Sequence, residues 1–205
     1  MNIFMLDSNP FNAARMHCDK HVVKMVLESA QMLSTAHHVL DGKDCGLQWD
    51  LTNWKIYKAT HKNHPSNVWV RETRHNYGWL YQLFVSLLRE YKKRYNKTHK
   101  CEQLVEPLWY HPIKINRWHN MTHLPQCMPD QYKVAGLYDD PLWYEKDFIK
   151  HRWPRFDPVR DCWEILQPSI EAYRNYYKAE KSYFAKWEKG TSEPAWWKEQ
   201  TINGG

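Results

Sequence analysis

Glycine is scarce in this chain, 7 residues in 205, and none of it forms the glycine-rich loop that cradles a nucleotide phosphate. The strained GxSxG elbow of serve-and-release hydrolases is missing as well. Nucleotide-dependent kinase or dehydrogenase chemistry therefore has no footing. Cysteine is sparse and odd in number: the 5 residues are widely spaced and form no CxxC pair. That argues against a disulfide scaffold and for the reduced thiols of a cytoplasm. No apolar run approaches the roughly 20 residues of a membrane span. The opening "MNIFMLDSNP" meets Asp7 too early for the apolar region of a signal peptide. A soluble, cytoplasmic protein with no membrane partner is expected.

Aromatic residues are abundant instead, with 12 Trp, 13 Tyr and 6 Phe. They can fill a core with few, large side chains and can offer flat rings to a ligand. The net charge of +6 favours a polyanionic partner.

Periodicity points to a mainly α, single-domain fold over residues 1–200, with long aromatic- and proline-rich loops and few or no strands. "MNIFML" reads as a short strand or buried arm. Asp7, Ser8 and Asn9 are capping types ahead of Pro10, which suits a first helical position. A helix is predicted over Cys18–His38, stopped by Gly42 and Gly46. A second is capped by Ser66 and carries Trp69, Thr73, Tyr77, Leu80, Phe84, Leu87 and Tyr91 on one stripe. A third starts at Ser169, after Pro168, with Ile170, Tyr173, Tyr177, Phe184 and Trp187 on one face. Residues 137–168 have the look of an insertion and 201–205 of a loose tail.

The first of these helices has an unusual circumference. At about 100° per residue, His17, His21, Lys24, Glu28, Gln31 and Thr35 share a stripe only about 80° wide. Val22, Val23, Met25, Val26, Leu27, Ala30, Met32 and Leu33 occupy the opposite arc. A surface helix buries a stripe little more than about 100° wide, so this one is expected to run through the interior with its polar seam facing a cleft. Glu28 or His21 is the candidate base, Lys24 a cationic anchor or amine nucleophile, and Gln31 an orienter. Burial is expected to bring their proton affinities towards neutrality. An ordinary solvated seam, with Lys24 and Glu28 as a simple i,i+4 ion pair, is the competing reading.

Three further groups suit a phosphate or a nucleic-acid backbone. His64, Arg71 and Asn76 flank a helix start, where free N–H groups favour anions. Lys92, Lys93, Arg94 and Lys97 are interleaved with tyrosines, and Lys114 and Arg117 repeat the mixture in "WYHPIKINRWHNMTH". Arg174 and Lys181 stand beside the Tyr173/Tyr177 face. Asp130, at the turn "MPDQYK", is placed to reach a cleft. His119, His123 and Cys127 recur at four-residue steps, but Pro125 breaks the helix a metal cluster would need. No metal or organic cofactor is expected.

The stretches "CDKHVVKMVLESAQ", "NHPSNVWVRETRHNYGW", "MPDQYK" and "AYRNYYKAEKSYFAKW" resemble a family of small, mainly α bacteriophage proteins. That family is loosely similar to amino-acid:DNA transferases of thymine hypermodification, and some of its kind are labelled pyrimidine-dimer glycosylases. The resemblance implies an enzyme acting on bases in double-stranded DNA inside an infected bacterium. In the transferase version an amine or free amino acid attacks a pyrophosphorylated hydroxymethyl-uracil. Glu28 with His21 takes the amine proton, Lys24 and Arg71 steady the departing pyrophosphate, and Asp130 orients the amine. In the glycosylase version Lys24 is a Schiff-base nucleophile and Glu28 its carboxylate partner. A non-catalytic DNA-binding or host-interaction protein is the third expectation.

Overall fold

The computed structural model describes residues 1–42, 55–116, 120–135 and 163–198, with the backbone alone for 163–165. Among them are seven helices and no strand, a mainly α fold. The helices are α1 (Pro10–Met16), α2 (Asp19–Leu40), α3 (Pro65–Glu72), α4 (Arg74–Tyr95), α5 (Val105–Trp109), α6 (Trp163–Lys181) and α7 (Ala195–Lys198). Gly46, Arg117, His119 and residues 137–162 lie outside the described residues, as does the tail.

Helix α1 begins as its sequence requires: Pro10 occupies the first turn and the Asn9 side chain accepts from Phe11 N at 2.9 Å. Helices α2 and α4, each 22 residues long, pack antiparallel. His37 meets Tyr77 at one end, and Asp19 meets Arg94 at the other. Val22, Met25, Val26 and Leu33 of α2 and Leu80, Phe84 and Leu87 of α4 are fully buried in the shared core. Helix α2 stops at Asp41 and Gly42, the latter at φ +57°, where a residue without Cβ is favoured. Asp41 then accepts from the amides of Ile113 and Lys114, tying the following loop to the helix end.

The second predicted helix is two. Thr73 adopts an extended conformation (φ −136°, ψ 156°) and its hydroxyl accepts from Asn76 N at 3.1 Å, ending α3 and capping α4. A threonine that satisfies an amide outside helical geometry outcompetes the apolar stripe running through it. His64, not Ser66, caps α3, its Nδ1 accepting from Ser66 N at 3.2 Å. Helix α6 starts upstream of Ser169, which turns its hydroxyl to Leu124 O instead.

The arm formed by residues 1–6 lies between α2 and α6, with Ile3, Met5 and Leu6 wholly buried. Asn2 stands at Glu28, while Phe4 stands one helical stretch earlier, 4.7 Å ring to ring from His21 and 5.5 Å from Tyr177. The arm therefore runs back along α2 towards its N-terminus. Arg174 of α6 clamps its far end by donating from Nε to Leu6 O at 2.9 Å.

Burial holds His17, His21 and His37 neutral, lowering them to about 4, about 3 and about 4 from an ordinary 6.5. For His37 the nearby Asp41 opposes this shift and loses. The unfolded chain takes up these protons near pH 6.5 and the folded chain does not. Stability is thus expected to fall as pH drops from 6.5 towards 4, and to be recovered above 6.5. Thermal melts across that window check it: His21→Phe should flatten the slope, and a wild-type Tm independent of pH would contradict it.

Candidate active site

The polar seam of α2 crosses the protein surface rather than following it. His21 is 5 % exposed, the Lys24 side chain 65 % and the Glu28 side chain 14 %. Val23 and Leu27, assigned by the helical arithmetic to the buried arc, are 37 % and 39 % exposed. The neighbours of α2 among the described residues, chiefly α4, α3 and the arm, cover less of its circumference than its apolar residues span. The helix is therefore not an interior rod. It presents an outer strip of Lys20, Val23, Lys24 and Leu27, with Glu28 and Gln31 half-buried at its edge.

Glu28 is the best-held polar group of that edge. Lys24 Nζ stands 3.4 Å from its Oε1, and the Asn2 amide donates to its Oε2 at 3.1 Å. Asn2 is itself pinned: its Nδ2 donates to Cys127 O at 3.0 Å, and its Oδ1 accepts from Tyr173 Oη at 2.8 Å. His64 lies within electrostatic reach of the same carboxylate. Burial and then the positive chain start lower its proton affinity, and Glu28 partly restores it. An amine, a carboxylate and an imidazole thus converge where α2, the arm and the start of α3 meet.

His21 does not fit the role of base. Its ring is enclosed by Phe4, Tyr177 and Phe184, and its Nδ1 has no hydrogen-bond partner among the described residues. Burial first, then the charges of His17, Lys24 and Lys181, carries it away from neutrality, to about 3. An imidazole that resists protonation so strongly is a weak proton acceptor near pH 7.

Other predicted residues are committed elsewhere. Asn76 is wholly buried, donating to Trp69 O and Thr122 Oγ1 and accepting from Thr122 N, so it fastens α4 to the loop before α6 and has no surface to offer a phosphate. Arg94 is an interior ion-pair hub, at 3.1 Å from Asp19 and 3.0 Å from Glu90, and also donates to His17 O and Arg15 O. It cannot meet a DNA backbone. Asp130 is 93 % exposed and bound to Lys133 at 2.7 Å, which holds its carboxyl below the usual range. No contact joins it to Glu28 among the described residues. Arg71 donates to Lys62 O. Arg174 is occupied with Leu6 O, Asp7 and the face of Trp196. Lys181 lies over the Tyr176 ring, 4.6 Å from its centroid, close enough to bear on His21. Lys92, Lys93, Lys97 and Lys114 are exposed.

The local sequence does not single out Asn2 or Tyr173. Asn2 is one polar residue in an apolar arm, and Tyr173 has the spacing of a core residue. Among the described residues no group of three or more His, Cys, Asp or Glu is arranged for a metal, and no helix is long and apolar enough to cross a membrane.

No curated protein and no solved structure matches the chain. The family model described as pyrimidine dimer DNA glycosylase matches residues 1–103, which carry the arm, α2, His64 and the α2–α4 pair. The chain belongs to the pyrimidine dimer DNA glycosylase family.

Proposed function

We propose that the chain excises a damaged pyrimidine from duplex DNA, with the Lys24–Glu28 edge as its chemical centre. The observation that carries this reading is the half-buried Glu28 carboxylate, held by the Asn2 amide and faced by an accessible amine at 3.4 Å, inside the segment that matches the family. Nothing in the comparisons supports transfer of an amine or amino acid to a modified thymine.

In the proposed reaction Glu28 takes a proton from the Lys24 ammonium, and the free amine attacks C1′ of the lesion nucleotide. The C1′–N1 bond breaks and its electron pair leaves with the base, which is then protonated. The attached nitrogen loses a proton, its lone pair forms the C=N bond, and the C1′–O4′ bond opens. O4′ takes a proton from Glu28 and the sugar remains as an iminium on the lysine. Val23 and Leu27, on the same outer strip, offer apolar contact to an unstacked base. The exposed Lys92, Lys93 and Lys97 at the end of α4 are proposed phosphate contacts. They adjoin the start of α2, which lies about 14 Å along the axis from Glu28, so one duplex can span both.

Borohydride trapping on DNA carrying a pyrimidine dimer tests this. A covalent protein–DNA adduct is expected for the wild type and should disappear in Lys24→Ala. An adduct that survives in Lys24→Ala and maps to the first residue would transfer the nucleophile's role to the amine beside Asn2. No adduct and no base release would overturn the reading. Incorporation of an amine into hydroxymethyl-uracil DNA would restore the transferase.

A further inference from the structure

Residues well beyond the family-matched segment reach the Glu28 edge. Tyr173 of α6 is wholly buried, and burial pushes its phenol far above the ordinary value, so it keeps its proton at any working pH. That single proton is shared between Asn2 Oδ1 at 2.8 Å and Pro125 O at 2.9 Å, while the oxygen accepts from Cys127 N at 3.3 Å. Asn2 Nδ2 in turn donates to Cys127 O, so phenol and loop grip both ends of one carboxamide. With its side chain clamped, Asn2 has its backbone N–H directed at Glu28 Oε2.

We infer that Tyr173 is a positioning residue: acting through Asn2, it sets the orientation of the Glu28 carboxylate where α2 meets the arm. The inference rests on the Glu28 reading above. Its physical basis is that a glutamate on a helix has more than one staggered rotamer, and the half-buried Glu28 is held in the one that meets the Asn2 amide. The Asn2 amide selects one of them, and the amide is only as fixed as the arm that carries it. The arm has no ladder or helix of its own, so its registration comes from side-chain clamps. Tyr173 supplies one of the two that hold Asn2. Displacement of a reacting group by about 1 Å can cost about 100-fold in rate, so loosening this clamp reaches the chemistry without touching the DNA.

Single-turnover excision and lesion-DNA affinity are measured side by side for Tyr173→Phe, Asn2→Ala, Glu28→Gln and the double variant Tyr173→Phe/Glu28→Gln. Tyr173→Phe is expected to slow the bound-state rate about 10- to 100-fold while leaving the Kd for lesion DNA within about threefold. Asn2→Ala should reproduce that split, and it decides the matter if Tyr173→Phe folds poorly. In the Glu28→Gln background, Tyr173→Phe should add little, because the carboxylate it orients is already gone. If Tyr173→Phe and Asn2→Ala keep the wild-type rate while Glu28→Gln loses it, the positioning role is wrong and the Glu28 site stands. If Glu28→Gln keeps full activity, both fall together. A rate loss in Tyr173→Phe that multiplies fully with Glu28→Gln would also overturn the inference, since the phenol would then act by another route.

Discussion

Glu28→Gln is expected to slow cleavage of the damaged base's glycosidic bond about 100- to 10,000-fold, the range typical of a positioned acid–base group, with little change in DNA affinity. The substitution is nearly isosteric. Its amide oxygen can still accept from the Asn2 N–H that meets Oε2 at 3.1 Å in the native chain. What is lost is the negative charge and the ability to take and return a proton beside Lys24. A single-turnover gel assay on a dimer-containing duplex reads the rate, and a filter-binding titration reads the affinity. The borohydride adduct should fall in step with the rate. A variant within about threefold of wild type would remove Glu28 from the mechanism, and the Lys24 contact would then be the ordinary i,i+4 pair of a solvated helix.

Arg94→Ala is expected to destabilise the fold by about 3–5 kcal/mol, the cost of removing one partner from a buried ion-pair network. Its side chain is completely enclosed and answers Asp19, Glu90 and two backbone carbonyls. Without it two carboxylates stand in low dielectric with no cation. For a chain of this size the loss corresponds to a fall in Tm on the order of 10 °C. Arg94→Lys should also be costly, because an ammonium cannot reproduce a planar guanidinium's divergent contacts. The salt dependence of DNA binding by the surviving folded fraction should not change. Charge reversal at the exposed Lys92 and Lys93 should do the opposite, weakening binding and shallowing its salt slope with Tm nearly unmoved. If Arg94→Ala instead reduced the salt slope at constant Tm, its interior role would be wrong.

These two residues mark what was legible before the fold was known. Helical class, the α2 span and the start of α1 all follow from local periodicity and capping, and the structure agrees. That Lys24 meets Glu28 follows from their i,i+4 spacing on one helix. The interior place of Arg94 is not legible locally, because a run such as "KKRY" looks uniformly wet in the sequence. In space its third residue turns inwards, at the one angular position where Asp19 lies across the helix pair. Asn76 failed for the same reason, since its partner Thr122 is remote in sequence. His21 sat on the polar stripe, yet aromatic rings from the arm and from α6 enclosed it. The break at Thr73 was a contest between stripe and cap that local rules do not decide. Tyr173 and Asn2 were out of reach altogether, because a contact across 171 residues leaves no trace in spacing.

That separation has a consequence for biosynthesis. The apolar arm leaves the ribosome well ahead of α6, which covers it, since Asn2 and Tyr173 are 171 residues apart. At about 5–20 residues per second, the arm waits on the order of ten seconds or more for its cover. Pairings so distant also tend to make folding slow. During that interval Ile3, Phe4, Met5 and Leu6 form a sticky nascent segment with no native roof. Synthesis of α6, and not emergence of the family-matched segment alone, is therefore what allows the arm beside Glu28 to be covered.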